Sequence, residues 1–262
     1  LGGRAWQANL FPLTFGELQS FDLERYLNFG GLPAVYLSEY PDREISAYVK
    51  IYLTEEVAAE GLVRDLPKFS RFLRLAACTN GQLLNFSEIG SDIGVSPNTV
   101  REYYRILEDT LVGFIVDPIQ KGRKEVSTSK FYLFDLGITN YLKGIKVVQD
   151  GTDDFGRSFE HFIAMELKAA LSYKSIDIPL NFWRTHTKKE VDFMIGDLLM
   201  VEAKATSRAS LRTAKNLISC DFPVKHKILV SRDSIERNEG GIQFLYYADF
   251  LSRLWDGEYF NI

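Results

Sequence analysis

Residues 190–204 constrain the fold of this chain more than any other segment. They contain two apolar stretches with the length and composition of β-strands, and both carry charged side chains. Asp192 lies within the first stretch, and Glu202 and Lys204 end the second, separated by one residue. A charge inside a buried strand is costly unless it is paired or binds a metal ion. The segment therefore predicts a β-hairpin whose charged residues form a site.

The register of this hairpin decides whether the three charges meet. Glu202 and Lys204 share one face because side chains alternate along a strand. Asp192 joins them only if the connecting loop has an odd number of residues or contains a bulge. A three-residue loop at 196–198 would place Asp192 opposite Glu202, whereas a two-residue turn would put them on opposite faces. We predict the odd loop or a bulge.

Two converging carboxylates and an ammonium suit a defined chemistry. Carboxylate oxygens are the ligands that hard divalent ions such as Mg²⁺ or Mn²⁺ prefer. Such an ion polarises a phosphate oxygen and activates water, and Lys204 would orient that water or stabilise the developing charge. We expect Asp192, Glu202 and Lys204 to be catalytic, with the two acids as metal ligands. The alternative is that Glu202 and Lys204 form a simple ion pair on an edge strand.

Residues 64–149 have the pattern of a winged helix-turn-helix. Helices are expected over about 67–79, after Ser87, and from Ser96, which is a good N-cap with Pro97 at the first helical position. Two β runs, 111–118 and 129–134, flank a basic stretch that would be the wing. The predicted DNA contacts are Asn98, Thr99, Arg101 and Arg105 on the third helix and Lys121, Arg123 and Lys124 in the wing. The alternative is a spacer or a protein-docking module.

The charge distribution favours a localised phosphate-facing surface over a wholly basic binder. The net charge is −4, yet residues 64–146 carry 12 Lys/Arg against 9 Asp/Glu. Residues 203–220 contain four basic residues and no acidic ones. Arg184 and Lys188, just before the hairpin motif, are either contacts to a nucleic-acid backbone or a plain basic loop.

The predicted fold class is α/β with several domains. Residues 1–63 are expected to be mainly helical, with a long helix over about 42–63. Residues 150–262 alternate helices and strands, which predicts a mixed sheet flanked by helices. The predicted domains are therefore 1–63, 64–149 and 150–262.

The hairpin motif resembles the signature of PD-(D/E)xK nucleases, with its D-x(9)-E-x-K spacing across a hairpin. Val191 stands where the motif's name has proline. Residues 156–160 resemble the G-x-x-x-E opening of a helix in archaeal Holliday junction resolvases, which implies that Glu160 is a third catalytic and metal-binding carboxylate. Glu166 competes for the metal-ligand role because it is a charge in an apolar stripe of the same predicted helix. The two glutamates lie about 240° apart around a helix, so they are not expected to serve equally.

The whole chain resembles the C-terminal portion of a family of bacterial and archaeal AAA-type ATPases. The matching stretches include residues 10–18, 30–33, 130–137 and 190–204, in the family's order. The resemblance implies a restriction-endonuclease-like domain over 150–262 and the helical lid of an ATPase module over 1–63. The chain contains no G-x-x-x-x-G-K-[ST] motif, so ATP would act only through an N-terminal ATPase module.

The predicted function is a DNA-binding, Mg²⁺-dependent nuclease-like module of such an ATPase, and the enzyme class would be a DNA endonuclease. The alternatives are an inactive DNA-binding or regulatory module and a protein-interaction arm. No apolar run approaches the roughly 20 residues that span a bilayer, so no membrane is expected as a partner. Two isolated cysteines indicate a reducing compartment, and we expect a cytoplasmic protein. Homo-oligomerisation stays open.

Overall fold

The computed structural model describes residues 8–53, 65–119 and 125–260 of a mixed α/β protein. The N-terminal part is helical, as predicted. It contains a 3₁₀ turn (Phe15–Glu17), α1 (Leu23–Phe29), α2 (Pro33–Tyr36), α3 (Pro41–Ala47) and a π-helical turn (Tyr48–Leu53). The helix predicted over 42–63 thus begins as α3, and its part beyond residue 53 lies outside the described residues.

The next part contains three helices and two strands close to the predicted positions. They are α4 (Leu66–Cys78), α5 (Phe86–Ile93), α6 (Pro97–Asp109), β1 (Gly113–Pro118) and β2 (Lys130–Leu133). Gly94 ends α5 with φ of +69°, a conformation that favours glycine. The Ser96 hydroxyl then accepts a hydrogen bond from the backbone N–H of Thr99 at 3.1 Å, and α6 begins. Local capping chemistry therefore fixes the turn between α5 and α6.

The remaining elements alternate between helix and strand. They are α7 (Leu136–Lys143), α8 (Asp153–Tyr173), β3 (Leu180–Arg184), β4 (Glu190–Ile195), β5 (Leu199–Lys204), α9 (Lys215–Ser219), β6 (His226–Ser231), β7 (Arg237–Glu239), β8 (Ile242–Tyr246), α10 (Tyr247–Asp256) and a 3₁₀ turn (Glu258–Phe260). No described helix combines the length and the apolar character needed to cross a bilayer.

The eight strands found in the described residues form one sheet in the order β2-β1-β3-β4-β5-β6-β8-β7. The pairs β1–β3, β5–β6 and β6–β8 are parallel, and the others are antiparallel. The hairpin of β1 and β2 therefore extends the sheet that contains β3 to β8. The two parts of the chain are joined by backbone pairing as well as by side-chain packing.

The largest hydrophobic core crosses both predicted domain boundaries. It runs from Tyr26 and Leu27 of α1 through the buried face of α8 to Leu254 of α10. Phe21 stacks on Phe162 of α8, with ring centroids 5.3 Å apart. The three predicted segments therefore do not fold around three separate cores. The part that contains α4, α5 and α6 has its own additional cluster around Phe69, Phe72 and Tyr104.

Candidate active site

The hairpin of β4 and β5 has the predicted register. Phe193 pairs with Val201 and Ile195 pairs with Leu199, which leaves residues 196–198 as a three-residue loop. The backbone N–H of Leu198 donates to the carbonyl of Ile195 at 3.0 Å and closes this loop. Continued by one step, the same register sets Asp192 opposite Glu202. The prediction of an odd loop is confirmed, and it puts both acids on one face.

The structure brings Asp192, Glu202 and Lys204 into direct contact. Nζ of Lys204 lies 2.8 Å from Oε1 of Glu202 and 3.3 Å from Oδ2 of Asp192. Asp192 and Glu202 are both buried, whereas 37% of the Lys204 side chain is exposed. The ammonium therefore bridges two buried carboxylates from the solvent side of the hairpin.

The two carboxyl groups and the ammonium perturb each other. Burial raises the pKa of Asp192, and the charge of Glu160 acts in the same direction while Lys204 opposes it. Burial and the nearby charge of Asp192 raise the pKa of Glu202 to about 8. The pKa of Lys204 is raised because its two acidic neighbours outweigh the cost of its burial. Lys204 is therefore charged at neutral pH, and Glu202 holds a proton unless a cation displaces it.

One oxygen of Glu202 is left without a partner. Its Oε1 accepts hydrogen bonds from Lys204 and from Nδ2 of Asn216 in α9, the latter at 3.2 Å. Its Oε2 is buried and has no hydrogen-bond partner in the described part of the chain. A buried polar atom of this kind needs an explanation, such as a bound ion. The sequence analysis did not single out Asn216, because no motif in the sequence pairs it with Glu202.

Glu160 lies beside the site and is held by strand β2. The Tyr132 hydroxyl donates to its Oε1 at 2.6 Å, and Nζ of Lys130 lies 3.4 Å from the same oxygen. Lys130 also pairs with Oε1 of Glu190 at 2.5 Å, and Arg184 pairs with the other oxygen of Glu190. These contacts form a second cluster of charges next to the first.

Lys130 and Tyr132 are site residues that the sequence analysis did not identify. Lys130 is only 2% exposed, although it carries a full charge. Its pKa is raised because Glu160, Glu190 and Asp192 outweigh the cost of its burial. The criterion applied to Asp192, a charge next to an apolar strand, would also have selected Lys130, which precedes Phe131 and Tyr132.

Glu166 lies away from this cluster. Its Oε1 accepts a hydrogen bond from the backbone N–H of Phe15 at 2.8 Å, and its Oε2 accepts one from Nε1 of Trp255 at 2.7 Å. Both oxygens are therefore used in joining the N-terminal segment and α10 to α8. The structure does not bring Glu166 to the hairpin site, because the two glutamates face different sides of α8. This packing role explains the charge within the apolar stripe.

Two cavities meet at Glu160. One, of about 160 Å³, is lined by Lys130, Tyr132 and Glu190 and by residues 80–82 from the end of α4. The other, of about 400 Å³, is lined by the first turns of α8 and by Lys204. Arg157 and Glu160 line both cavities. Glu160 therefore borders one cavity that it shares with residues 80–82 and another that it shares with Lys204.

The candidate site offers a divalent cation two carboxylate ligands. In the described part of the chain, no three His, Cys, Asp or Glu side chains form a group that could hold a metal ion. Asp192 and Glu202 nevertheless supply hard oxygen atoms, and the unpartnered Oε2 of Glu202 is one of them. The residues present thus fit a cation held by two carboxylates, with the other positions left to water or substrate.

The predicted DNA-contacting residues of α6 lie on its outer side. Asn98, Arg101 and Arg105 are exposed, and Thr99 is half-buried beside its N-cap. Arg105 lies within 3.7 Å of Glu102 and 3.6 Å of Asp109, and Arg101 donates to Asn98 at 3.3 Å. The helix has two arginines and three acidic residues. Its outer face is therefore close to electrically neutral.

The other predicted contacts lie at the end of β3 or outside the described residues. Arg184 is paired with Glu190, and Lys188 is exposed in the loop that follows β3. Lys121, Arg123 and Lys124 lie outside the described residues. The flanking residues are placed beside β3, since the Ile119 N–H donates to the carbonyl of Phe182 at 2.7 Å. Ile119 therefore lies next to the strand that precedes the motif.

Two sequence families match the chain. Residues 20–149 match a family described as a domain of unknown function (DUF8612), and residues 155–249 match one described as a domain of unknown function (DUF4143). The second match contains α8 from its third residue and the whole Asp192–Glu202–Lys204 group, whereas Lys130 and Tyr132 belong to the first. Searches of curated proteins and of solved structures gave no significant match.

Proposed function

We propose that this chain is a nuclease-like module that hydrolyses phosphodiester bonds with a divalent cation, Mg²⁺ or Mn²⁺. One observation carries the proposal. Asp192 and Glu202 share a face beside Lys204, and Glu202 keeps a buried oxygen that has no hydrogen-bond partner within residues 8–53, 65–119 and 125–260. The order of α8, the β3–β5 meander, α9 and the parallel β6 supports a PD-(D/E)xK-like fold around this group.

In this proposal each side chain has a separate role. Asp192 and Glu202 would hold the cation, which supplies polarisation of a phosphate oxygen and activation of water when bound. Asn216 fixes Oε1 of Glu202 by a 3.2 Å hydrogen bond, and Oε2 is the oxygen that has no hydrogen-bond partner among the described residues. Lys204 stays charged and is partly exposed, so its ammonium can turn towards a phosphate oxygen and stabilise the charge that develops there.

DNA is the proposed substrate, and the helix-turn-helix part is its proposed binding module. The capped turn before α6 and the exposed Arg101 and Arg105 support this role. The exposed loop with Lys188 and the cavities along Arg157 provide further basic contacts close to the site. Contacts of this kind neutralise phosphates and release counterions, so binding would weaken steeply as the salt concentration rises.

An N-terminal AAA-type ATPase module is the proposed partner in the full protein. The family that matches residues 155–249 is found in AAA-ATPase-associated proteins. The N-terminal segment is tied to the nuclease-like part through Glu166 and through Phe21 on Phe162. A module attached there would be coupled mechanically to α8, the helix that carries Glu160.

The test is incubation of the chain with branched, single-stranded and duplex DNA in Mg²⁺ and in Mn²⁺. Cleavage that disappears in Asp192→Asn supports the proposal. Cleavage that survives in Asp192→Asn and in Lys204→Met would place the activity elsewhere or in a contaminant. Binding measured across salt concentrations with an Arg101→Gln, Arg105→Gln double variant tests α6 separately. A variant that binds with an unchanged salt slope would exclude that face.

A non-catalytic DNA-binding or regulatory module is the second candidate. Its support is that ammonium groups already bridge the carboxylates, with Lys204 on Asp192 and Glu202 and Lys130 on Glu160 and Glu190. Ion pairs of this kind hold a folded scaffold together without any metal ion. Under this alternative, Mn²⁺ would not bind to the chain at all, and the same incubations would show no cleavage of any DNA.

A further inference from the structure

We propose that the site holds one divalent cation, at Asp192 and Glu202, and that Lys130 excludes a second cation from the neighbouring carboxylate pair, Glu160 and Glu190. The inference rests on the proposed function, because it concerns the same site. Enzymes that cleave phosphodiesters with two metal ions need carboxylates free to hold both ions. The contacts of Lys130 decide whether the second pair is free.

Lys130 is fixed between the two glutamates. Its Nζ lies 2.5 Å from Oε1 of Glu190 and 3.4 Å from Oε1 of Glu160, and it sits 5.1 Å from the centre of the Phe182 ring. With an exposure of 2%, this side chain is almost completely enclosed, although it borders the cavity of about 160 Å³. Its ammonium therefore remains where a second cation would have to bind.

The charges of the two carboxylate pairs are balanced differently. Glu160 and Glu190 are matched by Lys130 and by Arg184, which leaves that pair neutral. Among the described residues, Asp192 and Glu202 have Lys204 as their one close cation, so one negative charge remains when both are ionised. The attraction for a divalent cation is therefore concentrated at Asp192 and Glu202.

Lys204 and Lys130 also differ in how exposed they are and in whether the carboxylates beside them keep an oxygen free to bind a cation. The Lys204 side chain is 37% exposed and lines two cavities, of about 400 Å³ and about 280 Å³, into which it can move when a cation arrives. In the part of the chain that the structure describes, Glu202 has an oxygen without a hydrogen-bond partner, whereas both oxygens of Glu190 form ion pairs. Asp192 and Glu202 can thus bind an ion through Oε2 of Glu202 without breaking an existing hydrogen bond at that oxygen.

Lys130 belongs to β2, which lies outside the matched segment 155–249. The helix-turn-helix part thus contributes a permanent positive charge to the nuclease-like site. Together with the Tyr132 hydroxyl on Glu160, it makes the site a composite of both parts of the chain. The number of cations bound becomes a property of the whole chain.

The experiment is a titration of the 262-residue chain with Mn²⁺, in which free Mn²⁺ is counted by electron paramagnetic resonance. We expect one bound ion in the wild type, and none in Asp192→Asn. Lys130→Arg keeps the charge and should bind one ion. Lys130→Gln should bind two ions, and its melting temperature, lowered by the unpaired glutamates, should partly recover in Mn²⁺. Lys143→Gln, which removes a lysine paired with Asp154 at 2.9 Å, is the matched control and should bind one ion.

Each of the other outcomes would overturn a part of this proposal. Two ions in the wild type would refute the exclusion by Lys130 and leave the proposed nuclease function standing. If Asp192→Asn still binds one ion and Glu160→Gln binds none, the cation binds at Glu160 and Glu190, and the proposed location is wrong. A folded Lys130→Gln that binds one ion would also refute the exclusion. No ion in the wild type would overturn this inference and the metal dependence of the proposed function together. If Lys130→Gln does not fold, the wild type and Lys130→Arg decide.

Discussion

The backbone N–H of Ala203 donates a hydrogen bond to Oδ2 of Asp192 at 2.9 Å. The first carboxylate of the motif is thus held by the peptide backbone between Glu202 and Lys204. This contact joins β4 to β5 at the position where the continued register would pair Asp192 with Glu202. The relative positions of the three charged groups are therefore set by the hairpin itself and need no cation to form.

Asp192→Asn separates the charge of this residue from its structural contact. The asparagine carbonyl can still accept from Ala203, so we expect the melting temperature to change little. Cation binding should be lost, because one of the two ligands loses its charge. Cleavage should fall by at least about 10², the scale of removing one electrostatic contribution to catalysis. A variant that melts far below the wild type would instead indicate that Asp192 is chiefly structural.

Lys204→Met should uncouple cation binding from catalysis. The substitution keeps much of the aliphatic stem and removes the ammonium that lies 2.8 Å from Glu202 and 3.3 Å from Asp192. With that positive charge gone, Mn²⁺ should bind at least as tightly, while cleavage should fall by on the order of 10²–10³. The control is Lys215→Met, an exposed lysine of α9. Weaker Mn²⁺ binding in Lys204→Met would contradict this assignment.

Cation affinity should rise with pH through the titration of Glu202. Its pKa is raised to about 8 by burial and by Asp192, so below that pH a cation must displace a proton. Release of one proton makes the affinity rise by about tenfold per pH unit between pH 6 and 8 and level off above. Isothermal titration with Mn²⁺ in two buffers of different ionisation enthalpy measures the released proton. An affinity independent of pH in this range would argue against Glu202 as a ligand.

Elements with local signals were predictable from the sequence. Gly94 and Ser96 mark the turn between α5 and α6, and the structure places both helices there. The alternation of apolar residues and the odd loop fixed the hairpin register, and with it the meeting of Asp192, Glu202 and Lys204. In both cases the interactions that determine the structure involve residues close together in the chain, so they can be recognised in the sequence.

Contacts between distant segments were not predictable in the same way. The parallel pairing of β1 with β3 joins two parts of the chain that were predicted to be separate domains. No feature of the β1 sequence indicates which strand it pairs with. The partners of Glu166, Phe15 and Trp255, lie 151 and 89 residues away along the chain. A buried acid looked like a metal-ligand candidate because such remote donors are invisible in sequence. The same holds for Lys130 on Glu160.

Tyr132→Phe should destabilise the protein, whereas Tyr104→Phe should not. The Tyr132 hydroxyl donates to Glu160 at 2.6 Å, and a bond to a carboxylate contributes about 1.5 kcal/mol or more. The Tyr104 hydroxyl is buried and has at most a weak contact with Thr79 in the described part of the chain, so its removal costs little in hydrogen bonding. Urea unfolding of both variants measures the difference. Equal losses would mean that the Tyr132 hydroxyl does not hold Glu160.

Glu166→Gln should change the pH dependence of stability and leave the active site intact. Burial raises the pKa of Glu166 from about 4.5 to about 7. Between these values the folded chain keeps a proton that the unfolded chain releases, so the free energy of unfolding falls as pH rises from about 4.5 to 7 and is level above. For one group the fall amounts to about 3 kcal/mol.

Glutamine at position 166 cannot ionise, so this part of the fall should disappear. Its amide nitrogen replaces one of the two carboxyl oxygens and faces an N–H donor, so either the hydrogen bond from Phe15 or the one from Trp255 is lost, which costs about 1–3 kcal/mol at acidic pH. Urea unfolding at pH 5 and at pH 8 should therefore show a smaller difference in the variant than in the wild type. The Glu202 contribution persists in both, since its raised pKa acts in the same direction. Mn²⁺ binding should be unchanged at either pH. Its loss in a folded Glu166→Gln would restore Glu166 as a metal ligand and refute the packing role that its two hydrogen bonds indicate.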